Sequence, residues 1–458
     1  MTRKEFSGKA FKGRSKRKVL YLLTLVALVL VLPWSVYAAG QSEKEASTRK
    51  ITMGTLWPFQ DPSNKNAMYT LYMLSQDYMK AHPGAQVEFQ LVATEYIQYE
   101  QQMNVLAASH SLPDIFQYQV STGMADLYDH GYIVDIEKTF RDLGLYDKMS
   151  PAAVALVRTG DAKGRLTSMP MEFNAHGLWV NDGMFEKYGW SYPATWDELY
   201  DLCQKIVTQG IHPLAVNGKD GWNMTTVMHN YIIRMGGINV TENACYGKNG
   251  VKFSDPSFMQ AAQMMAKFGE SGCFGKGLTT VDYMGARDMF LQGQAAIYPD
   301  TTGLARDLDD PALNNIPIRA SLHAYPAVAG GVDPKLSKGF AEANTAIGVV
   351  ISSGRLDEPF KDWLNYVFTR YGDTAFKQVG YLPGFVVTDT SGAGEYLSKA
   401  LAYAQSITDA TLWFEAKLPP RGVEYSFRNV SLLALGQVKP DEFMEQIQKA
   451  VDDYLQGQ

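Results

Sequence analysis

The stretch from Gly164 to Leu199 reads GRLTSMPMEFNAHGLWVNDGMFEKYGWSYPATWDEL, and few folds accommodate it. Gly164-Arg165 makes a turn. Leu166–Met171 is short and apolar-rich, closes around Pro170, and reads as a strand. Leu178–Val180 continues as a second strand, ended by Asn181-Asp182. Met184–Tyr188 spans about one helical turn and is stopped by Gly189. Thr195 and Glu198 then form a capping box, in which each side chain satisfies a backbone amide left open at the start of the next helix. Two strand-like pieces are thus followed by a short helix and by a second, capped helix start.

The same alternation runs on both sides. Ile51–Leu56 reads as a buried strand, Ala67–His82 as an amphipathic helix ended by Pro83-Gly84, and Ala85–Val92 as a second strand. Glu95–Ser109 is helical, Ile115–Gln119 a third strand, and Met124–His130 a helix ending at Gly131. Downstream, Trp196–Gln209, Trp222–Gly237, Phe258–Gly269 and Tyr283–Gln292 are helical, and Asp255-Pro256 supplies a cap and a first-turn proline. Gly293–Tyr298 and Thr345–Ser352 are strand-like. The alternation from Ile51 to Ile136 predicts an α/β lobe with a largely parallel sheet. About 420 residues beyond the N-terminal segment suffice for two cores.

That N-terminal segment reads as a targeting signal. Eight Lys and Arg between Arg3 and Lys18 precede the apolar run Val19–Leu32, too short to span a bilayer comfortably, and Val36-Tyr37-Ala38 offers small residues for cleavage. Residues 1–38 are expected to be removed, with 39–50 a flexible polar leader. No Cys lies near the cleavage point to take a lipid, which favours a soluble periplasmic protein, likewise expected to be monomeric. An uncleaved anchor is the alternative. Without residues 1–38 the chain carries 34 basic and 47 acidic residues, a net charge of −13. Such a surface argues against nucleic acid and anionic membranes as partners. Of the three cysteines, Cys245 and Cys273 lie in Gly-containing contexts and are the expected pair in an oxidising compartment, while Cys203 falls on the apolar side of a helix as a buried thiol.

Gly164, Pro170, Trp179, Asn181, Phe185, Gly189, Pro193, Thr195, Trp196 and Glu198 fall in one register that resembles extracellular solute-binding proteins of family 1, the maltose-binding-protein-like components of ABC importers. "LPDIF" at Leu112–Phe116, "GQAAIY" at Gly293–Tyr298 and the closing helix PDEFMEQIQKAVDDYL extend the likeness from about Ile51 to Leu455. The resemblance implies a two-lobed, type II periplasmic-binding fold, with lobe I formed by 51–172 and 344–383 and lobe II by 174–340 and 386–458. It implies a ligand in the cleft, hinge closure around it, and permease subunits as the partner.

A sugar needs aromatic faces for its C–H surface and planar polar groups for its hydroxyls. At the expected loops and crossovers the chain supplies Trp57, Phe59, Tyr118, Glu172, Asn174, Trp222, Asn223, Asp300, Thr301, Asn344, Tyr381, Trp413, Arg421 and Tyr425. Trp57 and Trp222 are the leading stacking platforms, and Asn174 ranks above Glu172, which has a hinge role open to it. Asp300 has helix capping as its alternative, Arg421 a surface charge, and Trp413 packing. Trp179 and Trp196 sit inside regular elements and are expected in the core. The segment Pro299–Leu304 lacks the aromatic that sugar-binding relatives often carry there, which weakens any assignment to a particular malto-oligosaccharide. Iron, polyamine and polyol phosphate each lack their usual residue sets, so a neutral mono- or oligosaccharide leads.

Enzyme signatures are missing from the sequence. The seven His are scattered, and there is no HExxH, GxSxG, GxxxxGK[ST] or strand-borne GxGxxG. No cofactor, metal or catalytic group is expected. A paired-carboxylate hydrolase stays open, since its acids are non-local. So does a sensor that reports ligand to a membrane receptor.

Overall fold

The computed structural model describes residues 49–60, 65–93, 95–314 and 318–457. The expected signal, 1–38, and all but the last two residues of the leader lie outside them. Ten strands are formed: β1 (Lys50–Thr55), β2 (Gln86–Leu91), β3 (Ile115–Tyr118), β4 (Asn174–Asn181), β5 (His212–Leu214), β6 (Ala295–Thr301), β7 (Ala320–His323), β8 (Phe340–Asn344), β9 (Gly348–Ile351) and β10 (Asp409–Leu412). They make two sheets. One has the order β2-β1-β3-β9; the other has β10-β8-β4-β6-β5, with β7 also paired to β4.

In the first sheet β1 runs parallel to β2 and β3, and only β9 is reversed. Helices Ala67–Ala81 and Glu358–Phe368 pack together on this lobe. Leu71, Leu74 and Tyr78 of the first helix join Phe360, Trp363 and Leu364 of the second in one buried cluster with Met53, Ile115 and Phe116 of the sheet. In the second sheet β10 and β8 are parallel, as are β5 and β6, and β4 runs against β8, β6 and β7. Trp179 on β4 is fully buried and Trp196 nearly so, which places both in the core as expected. Half of the expected capping box forms: Thr195 Oγ1 accepts the Glu198 amide at 3.2 Å, while the Glu198 carboxylate takes the amide of Ala194, one residue before the cap, at 2.7 Å.

Three crossings join the sheets. In the first, Leu166–Met171 makes isolated bridges instead of the expected strand: Met169 pairs with Val349 and Glu172 with Pro383, after which β4 begins. The second falls at residues 345–347. Asn344, expected with lobe I, instead pairs with Asn174 in the second sheet. Its Oδ1 accepts the amide of Ala346 at 3.0 Å, pinning that alanine at a left-handed φ of 57°. The third runs through Tyr381–Phe385, where Phe385 bridges back to Met149.

Gly384 in this third crossing has no room for a side chain. A Cβ there would stand 2.3 Å from the Pro170 carbonyl oxygen. Backbone on one side cannot give way as a flexible side chain would, so Gly384→Ala is expected to lower the unfolding free energy by about 1–3 kcal/mol. Chemical denaturation measures this, and unchanged stability would contradict the close packing of the two crossings.

Candidate functional site

Because β4 opposes its neighbours, its first residues lie beside the carboxyl ends of β6 and β8. His176 pairs with Thr301, Gly177 with Asp300, and Asn174 with Asn344. Ligands of open α/β sheets gather at such carboxyl edges. Four of the sequence-nominated residues, Asn174, Asp300, Thr301 and Asn344, are therefore brought together by register alone. The helix Trp222–Gly236 begins at the same edge. Trp222 and Asn223 are its first two residues, a correction to their expected loop position. The Trp222 ring is half-buried, 5.3 Å from Tyr283 and edge-on to His176 at 6.3 Å.

Several polar atoms here are buried without a protein partner: Asn174 Oδ1, His176 Nδ1 and Asn223 Oδ1. Their companions are engaged. Asn174 Nδ2 donates to the Glu172 carboxylate, Asn344 Nδ2 contacts His176 Nε2 at 3.2 Å, and Asn223 Nδ2 donates to the Pro299 carbonyl. Unpaired buried polar atoms cost free energy, and native interiors tolerate few.

Asp300 is 1% exposed. It accepts the Thr301 amide at 2.7 Å and the Tyr283 hydroxyl at 3.3 Å, rather than capping the helix that starts at Leu304. Burial pushes its carboxyl up to about 7, against smaller opposing effects of the Thr301 amide and Tyr298 hydroxyl. Glu415 beyond β10 is pushed to about 8, again chiefly by burial, despite the hydroxyls of Thr225 and Ser426.

The first sheet presents its own carboxyl edge. Gln117 Oε1 accepts the Leu56 amide at 2.8 Å, and its Nε2 is buried without a partner. Trp57 follows β1 and is half-buried against the lobe I core. Tyr118 is buried, with its hydroxyl on Asn104 Oδ1 at 2.9 Å. Glu100, one turn after Tyr96, accepts that tyrosine's hydroxyl at 2.7 Å; burial pushes its carboxyl up to about 7. Burial raises the Tyr96 phenol, and the charges of Glu100 and Glu415 add to this, so carboxyls from both lobes bear on one ring. Arg306 spans the lobes, donating to the Lys65 carbonyl. A cavity of about 220 Å³ opens beside it, lined by Lys65, Asp309, Asp310 and Phe376 among others.

Other nominated residues are placed elsewhere. Tyr381 is buried, its hydroxyl 2.8 Å from both Thr70 and Tyr371. Phe59 packs on Tyr72 and Phe89, and Trp413 lies 9% exposed in the lobe I cluster. Arg421 and Tyr425 belong to the helix Pro420–Ala434, not a loop; Arg421 pairs with Asp453 on the surface and Tyr425 packs against Phe443. Glu172 Oε1 accepts the Ala67 amide at 3.1 Å, so it holds a helix start in place. The expected Cys245–Cys273 bridge is not formed; all three cysteines are free and buried. His176, Tyr283, Glu100 and Glu415 were not nominated. Tyr96 and Glu100, one helical turn apart, carried a signal for one face.

Asp300 sets a pH dependence. Its folded value lies above its ordinary 3.8, so its contribution to stability is fully present below about pH 4 and is lost as pH rises through about 7. The wild type is expected to lose stability relative to Asp300→Asn over that window, by at most about 1.4 kcal/mol per pH unit. Denaturation of both proteins between pH 4 and 8 checks it; a pH-independent difference would contradict the buried carboxyl.

Solved structures share the fold across most of the chain. A chitin oligosaccharide binding protein superposes with a TM-score of 0.78 at 19% identity, covering 90% of this chain and all of that one. A structure from work on xylan utilization by Caldanaerobius polysaccharolyticus gives 0.73 at 20% identity, covering 88% and 99%. Curated relatives match over shorter stretches. A multiple sugar-binding protein of Streptococcus mutans is 27% identical over 103 residues, 22% of this chain and 23% of that protein. A diacetylchitobiose binding protein of Streptomyces coelicolor is 26% identical over 148 residues, 31% and 30% respectively. The aligned part thus spans about a quarter to a third of these relatives. Residues 61–332, more than half of the chain, match the bacterial extracellular solute-binding protein family, and the chain belongs to it.

Proposed function

We propose that this protein is the extracytoplasmic binding component of an ABC importer and takes a neutral mono- or oligosaccharide between its two sheets. The observation that carries the reading is the set of unpartnered buried polar atoms, Asn174 Oδ1, His176 Nδ1 and Asn223 Oδ1, on the strand edge that also holds the Trp222 ring. A sugar offers hydroxyls to the first and an apolar C–H face to the second. The names of the relatives, which bind chitin oligosaccharide, diacetylchitobiose or multiple sugars, support the same class.

The ionisation of the edge favours an uncharged ligand. With Asp300 and Glu100 near 7 and Glu415 near 8, these acids are largely or partly protonated at neutral pH. They then act as hydrogen-bonding groups rather than as anions for a polyamine. Arg306 is occupied by Asp307 at 2.8 Å, which leaves it poorly suited to a phosphate. In this reading the crossings bend, the lobes close on ligand, and the closed surface meets the permease. The protein binds without turnover and acts as a monomer, exported by its N-terminal signal.

A thermal-shift screen across sugars, polyols, polyamines and phosphate esters tests the class, because a ligand of the native state raises the midpoint by mass action. A rise with one group of sugars is expected; a rise with a polyamine or phosphate ester alone would overturn the ligand. For the sugar so found, Trp222→Ala is expected to weaken binding about tenfold or more, roughly 1.4 kcal/mol. Calorimetry with wild-type affinity in that variant would remove Trp222 from the site.

A further inference from the structure

Cys203 and Cys273 meet although neither has a covalent partner. Cys203 lies on the buried face of the helix Trp196–Thr208, among Leu199, Leu202 and Ile206. Cys273 sits in the turn after the helix Pro256–Glu270, and its carbonyl accepts the Leu214 amide of β5 at 3.1 Å. Both side chains are fully buried in one apolar cluster, and each thiol bears on the ionisation of the other. The residue after Cys203 reinforces the contact: Gln204 Nε2 donates to the Ser271 carbonyl at 3.3 Å and reaches Cys273 Sγ at 3.6 Å. Ser271 Oγ is 3.4 Å from the same sulfur. Cys245 has other neighbours, with Lys417 and Glu242 the charges that act on it.

We propose that Cys203 and Cys273 close a disulfide when the chain folds in an oxidising compartment, leaving Cys245 as a free thiol. The compartment rests on the proposed export; the choice of pair rests on the burial of both thiols in one cluster and on the contact of Gln204, next to Cys203, with Cys273. The reaction is thiol–disulfide exchange with an oxidised small-molecule disulfide or a dithiol oxidoreductase. One thiolate attacks the oxidant's disulfide and expels one thiol, giving a mixed disulfide. The second cysteine loses its proton and attacks that bond, expelling the second thiol. Two electrons and two protons pass from the cysteines to the oxidant. Both sulfurs are buried in the finished fold, so exchange takes place before the two helices complete their packing. The bond closes a loop of about 70 residues and so removes much of the freedom of the unfolded chain.

The test needs no ligand and no export. The full chain is reduced and unfolded in guanidinium, refolded in a glutathione redox buffer, unfolded again with N-ethylmaleimide, and weighed intact. One adduct is expected. Trypsin should release residues 188–205 joined to residues 268–276, a species that separates on reduction. Cys245→Ala, which removes the rival partner, should give no adduct and the same joined peptides. Three adducts on the wild-type chain, or a peptide joined through Cys245, would overturn the pairing whatever the protein binds. Retention of the cross-link with no sugar response would leave the pairing standing and overturn the ligand class instead.

Discussion

The buried carboxylate of Glu172 joins pieces that belong to different lobes. Its Oε1 takes the amide of Ala67, the first residue of a lobe I helix, and its Oε2 takes the side-chain amide of Asn174, the first residue of β4. Asn66 takes the next two amides of the same helix, from Met68 and Tyr69. Three of the four amides that a helix leaves open are thus satisfied, one of them from the crossing itself. Burial still raises the Glu172 carboxyl above its ordinary range, although Asn174, the charge of Arg306 and the Ala67 amide all pull it down. Asn174 is therefore oriented by a residue of the crossing, and a change in the crossing is felt at the edge of the second sheet.

A second buried carboxylate does comparable service inside lobe II. Glu342 on β8 is fully buried and accepts Thr226 Oγ1 at 2.7 Å and His229 Nδ1 at 2.6 Å, with His176 at 3.6 Å. Burial alone would raise its carboxyl; the bond from His229 and the nearby His176 outweigh this and hold it low. Thr226 and His229 lie on the helix that Trp222 opens, one and two turns further along. The ion-dipole anchor thus fixes the aromatic face at the edge. Arg234 completes the arrangement, donating to the carbonyls of Tyr325, Asn230 and Phe340, with no ion pair to a carboxylate among the described residues. Burial drops it to about 10, and its bonds to three carbonyls are what make a buried guanidinium tolerable.

How much of this was legible follows from which interactions are local. The helix Ala67–Ala81, the capping box at Thr195 and the strand ending at Tyr118 are written in neighbouring residues, and they form within a residue or two of expectation. Asn174 and Asn344 are placed by the sequence at crossovers and Asp300 and Thr301 just past a strand; β6 runs on to Thr301, and antiparallel register then assembles all four. Leu166–Met171 has the composition of a strand, yet it bridges only singly because it is leaving one sheet for the other. The resemblance places Arg421 and Tyr425 in a late loop, yet PRGVEYSFRN is helical, held from outside by Phe443 and Asp453 of the last helix. The cysteine pairing and the role of His176 depend on contacts far apart in sequence, which no local spacing records.

The acids of the two edges then take on a common meaning. An ionised carboxylate only accepts hydrogen bonds, whereas a protonated one also donates, and a sugar hydroxyl both donates and accepts. Burial that pushes Asp300 and Glu100 to about 7 and Glu415 to about 8 makes such two-way groups available near neutrality. It also spares the closing lobes the repulsion of carboxylates brought together in low dielectric. For the proposed neutral ligand, the same burial that costs stability as pH rises from about 4 to about 7 keeps donors available up to neutrality. A charged ligand would need the opposite design, with partners kept solvated enough to stay ionised.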